Sequence, residues 1–333
     1  MTTSSSESMF DKERMDYVVM DRNIFKAQDS FLRNAYQFID YHREEWSLSN
    51  NVDLEVTNHV LRVRIQDNTI SEHRYLVDIM CTIQHEDGGW GDTRDDSISR
   101  LRSSAFCGQM LLRANRVLKS PTVTSAVNRV LAFILSNQKP DGSWRDHRWH
   151  HLDATSVSLG TLIFAIKEID AIPEYKASLD LGMEYIYSQR SPEDYLWHYK
   201  KRGSPVTISA HLLQKCAMQA EYLKIVKQST IALMELQDIA GYWDNENVDH
   251  TCDAIRCLML CASRLNDNSV TARVSESVAR TMEWLLSCVS QGGGVGDRPG
   301  RKPHVERTCD VIDTVLKTRE FCSNFSHMYH FWQ

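Results

Sequence analysis

Acidic side chains are the most chemically suggestive feature of this 333-residue sequence, because several stand just ahead of runs with helical spacing. Thr93-Arg94-Asp95-Asp96-Ser97 sets two carboxyls side by side where an apolar helix is about to begin. Burial raises the pKa of a carboxyl, and a second carboxyl beside it raises one of the two further. An adjacent pair can therefore keep one acid protonated near neutrality, as general acid catalysis requires. Asp153 in HLDATSVSL, Asp249 in VDHTC, Asp310, and Glu55 in DLEVT occupy comparable places, with helix capping as their plainer use. Aromatic faces that can steady a cation are Trp149, Trp197, Tyr195 and Phe106, together with Tyr199, Tyr242 and Trp243. Arg298, Arg301, Lys302 and Arg307 in one late loop, Arg319 beyond it, and Lys200, Lys201 and Arg202 earlier form a basic set suited to an anionic group such as a carboxylate or diphosphate.

The elements that must position these residues are legible as a repeat. Segments CTIQHEDGGW, LSNQKPDGSW, YSQRSPEDYLW and MELQDIAGYW end at Trp90, Trp144, Trp197 and Trp243, an earlier weak copy ends at Trp46, and a degenerate one runs past Gly294. Each turn lies between two apolar stretches of helical period, so each unit is a helical hairpin. The helix before the turn carries an apolar stripe, as at Val130, Leu131, Ile134 and Leu135; the one after it, as in CDAIRCLMLCA, is apolar nearly all round. Striped helices belong outside and uniformly apolar ones inside. The fold expected is all-α, a single (α/α)6 barrel over residues 23–333 with a flexible segment at 1–22. The glycines of DGGW and DGSW supply the positive φ of a helix C-terminal cap.

The Q-x-x-x-G-x-W pattern at 84–90 and 138–144 resembles the QW repeat of the terpenoid cyclase and protein prenyltransferase β-subunit toroids. That resemblance, from about Phe31 to Phe321, implies an α/α barrel whose apolar interior holds an isoprenoid chain. It also implies three rival chemistries. Prenyltransferases hold zinc with an Asp, a Cys two residues later and a distant His; the corresponding places here are Asp249, Thr251 and Arg307, which lack the thiolate and imidazole a tetrahedral zinc site needs. The DDxxD magnesium motif of class I synthases is missing. Class II cyclases protonate a terminal alkene or epoxide with the middle Asp of DxDD[TS], which TRDDS resembles with its first Asp replaced. The resemblance thus makes Asp95 the proton donor and Asp96 its partner. Asp153, in a segment similar to the family's second acidic strip, becomes a supporting acid, while that strip's activating His falls on Val157. The tryptophans of the motif, Trp90, Trp144 and Trp243, are expected to be structural. Trp149, Trp197, Tyr195 and Phe106 are expected to line the cavity, and Arg298, Arg307 and Arg319 to hold the head group.

The expected reaction is cationic polycyclisation of a polyprenyl chain, on a prenylated aromatic acid, as in the monodomain meroterpenoid cyclases. No metal is then required; magnesium enters only if the substrate is a free diphosphate, and a noncatalytic isoprenoid carrier is the remaining alternative. Lys plus Arg at 38 against Asp plus Glu at 44 gives a net charge of −6, which speaks against nucleic acid as a partner. No run of about 20 apolar residues could span a bilayer, and the first residues, MTTSSSESMFDKERMD, lack a signal peptide's apolar core. Nine cysteines without a CxxC pair fit neither a disulfide framework nor a zinc knuckle, and Cys252, Cys257 and Cys261 read as core. A cytoplasmic enzyme is expected, with a small-molecule polyprenyl partner, at most weak contact with a membrane surface during substrate uptake, and no obligate protein partner.

Overall fold

In the computed structural model, which describes residues 22–169, 172–199 and 203–324, twelve α-helices follow one another among the described residues, and none of these residues forms a strand. They are α1 (Arg22–Tyr41), α2 (Leu54–Gln66), α3 (Arg74–Thr82), α4 (Leu101–Leu118), α5 (Pro121–Ser136), α6 (His151–Glu168), α7 (Pro173–Ser188), α8 (Pro205–Ala217), α9 (Leu223–Glu235), α10 (Val248–Leu265), α11 (Asn268–Ser287) and α12 (Val305–Asn324). The even-numbered helices touch in the order α2, α4, α6, α8, α10, α12 and back to α2, which closes an inner ring. The odd-numbered helices pack outside it. The expected all-α toroid of six hairpins is what the chain forms, while the segment expected to be flexible, at 1–22, and Lys200, Lys201 and Arg202 lie outside the described residues, apart from Arg22, which opens α1.

Local chemistry explains the two rings. α5 begins with Pro121 at its first position, where a missing N–H costs nothing, and it buries Val123, Ala126, Val127, Val130, Leu131 and Ile134 along one stripe. By contrast α10 is buried at twelve of its eighteen positions, because outer helices and ring neighbours cover it on several sides.

The turns that join an outer helix to the next inner helix are clipped by the glutamines of the repeat. Gln138 donates through Nε2 to Gly142 O (3.1 Å) in its own turn and to Ser178 O (2.9 Å) in the next outer helix; Gln84 and Gln237 do the same at their turns. Gly142 has φ +85°, and a Cβ there would lie 2.2 Å from the carbonyl oxygen of Leu181. The position therefore demands glycine. All five motif tryptophans are buried with Nε1 donating to a carbonyl of the outer helix before them: Trp46 to Ile39, Trp90 to Met80, Trp144 to Ile134, Trp197 to Ile186 and Trp243 to Leu233. Each tryptophan thus fastens its turn to the helix that it ends. Since every inner helix starts just after such a turn, all six inner N-termini share one rim.

Candidate active site

The register of the rim is fixed by one hydroxyl per inner helix, bound to the backbone of the tryptophan turn. Thr57 Oγ1 donates to Trp46 O (2.9 Å), while the N–H groups of Trp90, Trp144, Trp197 and Trp243 donate to Ser104, Thr155, Ser209 and Thr251 at 2.8–3.0 Å. In the degenerate sixth turn Val295 takes the tryptophan's place and donates to Thr308 Oγ1 (3.0 Å). These six hydroxyls are structurally equivalent. Two residues before each stand Glu55, Arg102, Asp153, Thr207, Asp249 and Glu306, one from every inner helix, which makes a ring of equivalent positions at the mouth of the lumen.

Four acids, one base and one alcohol occupy that ring. Arg102 grips both oxygens of Glu55 (2.7 and 2.6 Å), Tyr199 donates its hydroxyl to Asp153 (2.7 Å), and Arg307 donates to Asp249 (3.0 Å). Trp149 lies flat beside this rim, with the Arg102 guanidinium 4.1 Å above its ring. The indole N–H of Trp149 and the hydroxyl of Thr207 are both buried without a hydrogen-bond partner.

One turn deeper stand His59, Phe106, Val157, His211, Asp253 and Asp310, and one turn deeper again Arg62, Gln109, Gly160, Gln214, Arg256 and Asp313. The charged members pair across neighbouring helices. Arg62 meets Asp310 (2.7 Å) and Asp313 (3.4 Å); Arg256 meets Asp253 (2.7 Å), Asp313 (3.1 Å) and Asp310 (3.3 Å); His211 meets Asp253 (3.0 Å). An ionic belt therefore lines α8, α10, α12 and α2. The facing strip of α4 and α6 carries Phe106 and Val157, with the edge of His59 against Phe106 at 5.6 Å. The apolar interior implied by the family resemblance is thus confined to one side. The inner helices bury charge because the belt gives every ion an opposite neighbour.

Charge balance at the mouth singles out Asp249. Burial raises its pKa, Arg307 lowers it, and the neighbouring Asp253 and Asp310 raise it again, which leaves it at about 6. The other acids of the belt are held low. Burial works to raise Asp253, Asp310 and Asp313, but His211 and Arg256 pull down the first, His59, Arg307 and Arg256 the second, and Lys317, Arg62 and Arg256 the third. For Glu55, too, burial is outweighed by the grip of Arg102. Arg307 is shared among Asp249, Asp297, Glu306 and Asp310, too many carboxylates for one guanidinium to neutralise.

Of the residues singled out in the sequence, the structure brings Glu55, Asp153, Asp249, Asp310, Trp149, Tyr199, Phe106 and Arg307 together in the lumen. It keeps the others out. Asp95 and Asp96 sit on an exposed loop before α4; Asp95 lies 3.8 Å from Arg94, and Asp96 accepts the N–H groups of Asp92 (3.0 Å) and Thr93 (2.9 Å), which, led by Thr93, lower its pKa. The burial that a donor requires is missing at both. Trp197 is a motif tryptophan, fully buried in its turn. Tyr195 replaces the glycine of that turn, with φ +64° and 39% exposure on the outer face. Arg298, Arg301 and Lys302 are exposed loop residues, and Arg319 ties α12 to α1 through Gln28 (3.1 Å) and Asp29 (2.7 Å). Three ring residues escape the motif comparison as functional candidates: Arg102, Thr207 and Glu306. The signal that finds them is the Ser or Thr two positions later.

A zinc ion does not fit this lumen at the prenyltransferase positions: Thr251 is engaged by Trp243 N–H, and Arg307 brings its own positive charge to Asp249. Glu55, His59 and Glu306 each place one ligand atom within 4.8 Å of the others, but Arg102 already holds both oxygens of Glu55. No helix among the described residues is long and apolar enough to cross a membrane.

The chain belongs to the prenyltransferase α/α toroid family, whose domain profile matches residues 55–196 and 205–319. No curated protein matches it significantly in sequence. Among solved structures, it is similar to a variant of the type II terpene cyclase MstE from Scytonema in complex with geranylgeranyl dihydroxybenzoate, its substrate (TM-score 0.67, 14% identity, covering 90% of this chain and 99% of that one). It is also similar to an α-1,6-mannanase from Salegentibacter sp. HEL1_6 (TM-score 0.69, 11% identity, 89% and 99%) and to a polysaccharide lyase (TM-score 0.65, 13% identity, 93% and 99%). At these identities the likeness establishes the toroid and nothing finer.

Proposed function

We propose that the chain is a protonation-initiated terpene cyclase in which Asp249, not Asp95, delivers the proton. The observation that carries this reading is a half-buried carboxyl at the lumen mouth, pushed up to about 6, with a guanidinium 3.0 Å away. An alkene is a very weak base, so its acid must still hold a proton near neutrality and must leave a stabilised anion. As the proton moves to the terminal alkene carbon, the π pair forms the new C–H bond and a tertiary cation remains. The Asp249 carboxylate then gains the full attraction of Arg307 and stands in the first turn of α10, the positive end of the helix. Phe106, Trp149 and Tyr199 supply π faces on the α4–α6 side, away from the carboxylates of the belt.

The substrate class we favour is a prenylated aromatic acid, supported by the family and by the substrate bound in the MstE complex. This reading needs no metal, and localisation to the cytoplasm and the lack of an obligate protein partner go with it. The test is incubation with geranylgeranyl dihydroxybenzoate, with mass spectrometry for an isomer of unchanged mass. Asp249→Asn should abolish the isomer and Asp95→Asn should preserve it. A folded Asp249→Asn protein that still cyclises would remove the assignment. The four ring carboxyls favour a second reading, acid-base cleavage of a glycan, in keeping with the mannanase and lyase neighbours; release of mannose from α-1,6-mannotriose would select it.

A further inference from the structure

Almost every charge in the lumen has an opposite partner, but two cations do not. Arg113, on α4 one turn below Gln109, and Lys215, on α8, form neither a hydrogen bond nor an ion pair with any described residue, and the Gln109 amide has no partner either. Burial lowers the pKa of both cations, that of Lys215 to about 8 despite the opposing influence of Cys257 and Asp253. The nearest acids are committed elsewhere: Asp253 to His211 and Arg256, and Asp313 to Arg62, Arg256 and Lys317.

Two of the three donors face one another across a gap in α6. A Cβ on Gly160 would lie 2.7 Å from Gln109 Nε2 and 3.4 Å from Lys215 Nζ, so the missing side chain lets the amide and the ammonium face one another. The Arg113 guanidinium lies 5.8 Å from the ring of Phe164, which stands one turn along α6 from Gly160. The gap opens on the α4–α6 strip, the side of the lumen that the ionic belt leaves free, and Lys215 reaches it from the neighbouring α8. These donors are half-buried and have no protein acceptor, so they stand ready for an acceptor supplied from outside, which a charged donor binds strongly.

We propose that Lys215 and Gln109, joined by Arg113 from one turn further along α4, form a receptor for an oxyanion, a carboxylate or a phosphate, that enters along the α4–α6 strip and anchors one end of the substrate deep in the barrel. Lys215 stands eight residues below Thr207 of the rim ring, about 12 Å at 1.5 Å per residue. A ligand held there would span about that distance to reach the level of Asp249. The inference deepens the cyclase reading by naming where the head group sits, but it is read from binding alone, so its failure and the failure of Asp249 as donor are separable.

The experiment is calorimetric titration and thermal melting of the full chain with benzoate and, separately, pyrophosphate at fixed ionic strength. At least one probe should bind and raise the melting temperature, benzoate if the head is a carboxylate and pyrophosphate if it is a phosphate. Lys215→Met and Arg113→Met should each weaken binding by about tenfold or more, and Lys215→Met without ligand should melt above the wild type because an unpaired cation is gone. Gly160→Ala, whose new methyl meets only flexible side-chain ends, should fold and bind weakly; Asp249→Asn should bind like the wild type. The proposal is overturned if neither probe binds at millimolar concentration, or if the Lys215, Arg113 and Gly160 variants bind as tightly as the wild type.

Discussion

Replacing Asp249 by asparagine should make the protein more stable at pH 6.5 than the wild type, and by an amount that vanishes in acid. The folded pKa of Asp249 is about 6 against a reference of 3.8, so between those values the folded chain holds a proton that the unfolded chain has released. Stability from this group therefore falls as pH rises through the window from about 4 to 6. At about 1.36 kcal/mol per unit the shift corresponds to about 3 kcal/mol. The side chain is 30% exposed, and screening reduces the expected effect to about 2 kcal/mol. Asparagine has no proton to lose, and Arg307 keeps Asp297, Glu306 and Asp310 as partners in the variant, so the fold should survive. His250, whose pKa is raised chiefly by Asp244 against the effect of burial, and in part by Asp249, changes its contribution above its unfolded value near 6.5. The comparison is therefore confined below that pH. Urea unfolding of both proteins at intervals from pH 4 to 6.5 measures the gap, which should open in favour of Asn as pH rises. Parallel curves, or a gap that closes as pH rises, would refute both the raised pKa and the protonated donor built on it.

Two other substitutions test the frame around the site. Trp144→Ala deletes a fully buried indole and its hydrogen bond to Ile134 O (2.8 Å), and should cost about 3–5 kcal/mol in urea unfolding. Arg256→Met leaves Asp253, Asp310 and Asp313 short of a shared cation in the belt; a loss of about 3–5 kcal/mol is expected, with part of it recovered in acid as those carboxyls take up protons.

The repeat was legible because it is a backbone device. Glutamine, positive-φ glycine and tryptophan recur at fixed offsets since each closes the same turn by the same three hydrogen bonds, and the offsets alone disclose six hairpins and an all-α ring. The site was less legible because the stretch from tryptophan to inner helix varies in length. From the tryptophan to the anchoring hydroxyl there are 14 residues at Ser104, 11 at Thr155 and 8 at Thr251. A motif aligned by its distance from Trp90 thus lands on the loop, at Asp95, whereas alignment by the hydroxyl lands on Arg102. The same rule picks out Asp249 and Glu306 without reference to any acidic motif.

Why charge should line a ring of helices that read as apolar has a related answer. Along α10 the lumen positions are Asp249, Asp253 and Arg256, spaced at one helical turn, and the residues between them include Thr251, Cys252, Ala254 and Ile255, all buried. Composition averages the two faces and reports an apolar helix; only the closure of the ring says that the charged stripe points inward rather than to solvent. Once α10 stands beside α12, Arg256 finds Asp310 and Asp313, and the belt becomes the cheapest way to bury either stripe. That belt in turn decides which side of the lumen an uncharged chain can use. The strip from Trp149 through Phe106 and Val157 to Gly160 is what remains, with a protonatable carboxyl at the level of its upper end and two unpaired cations at its lower one.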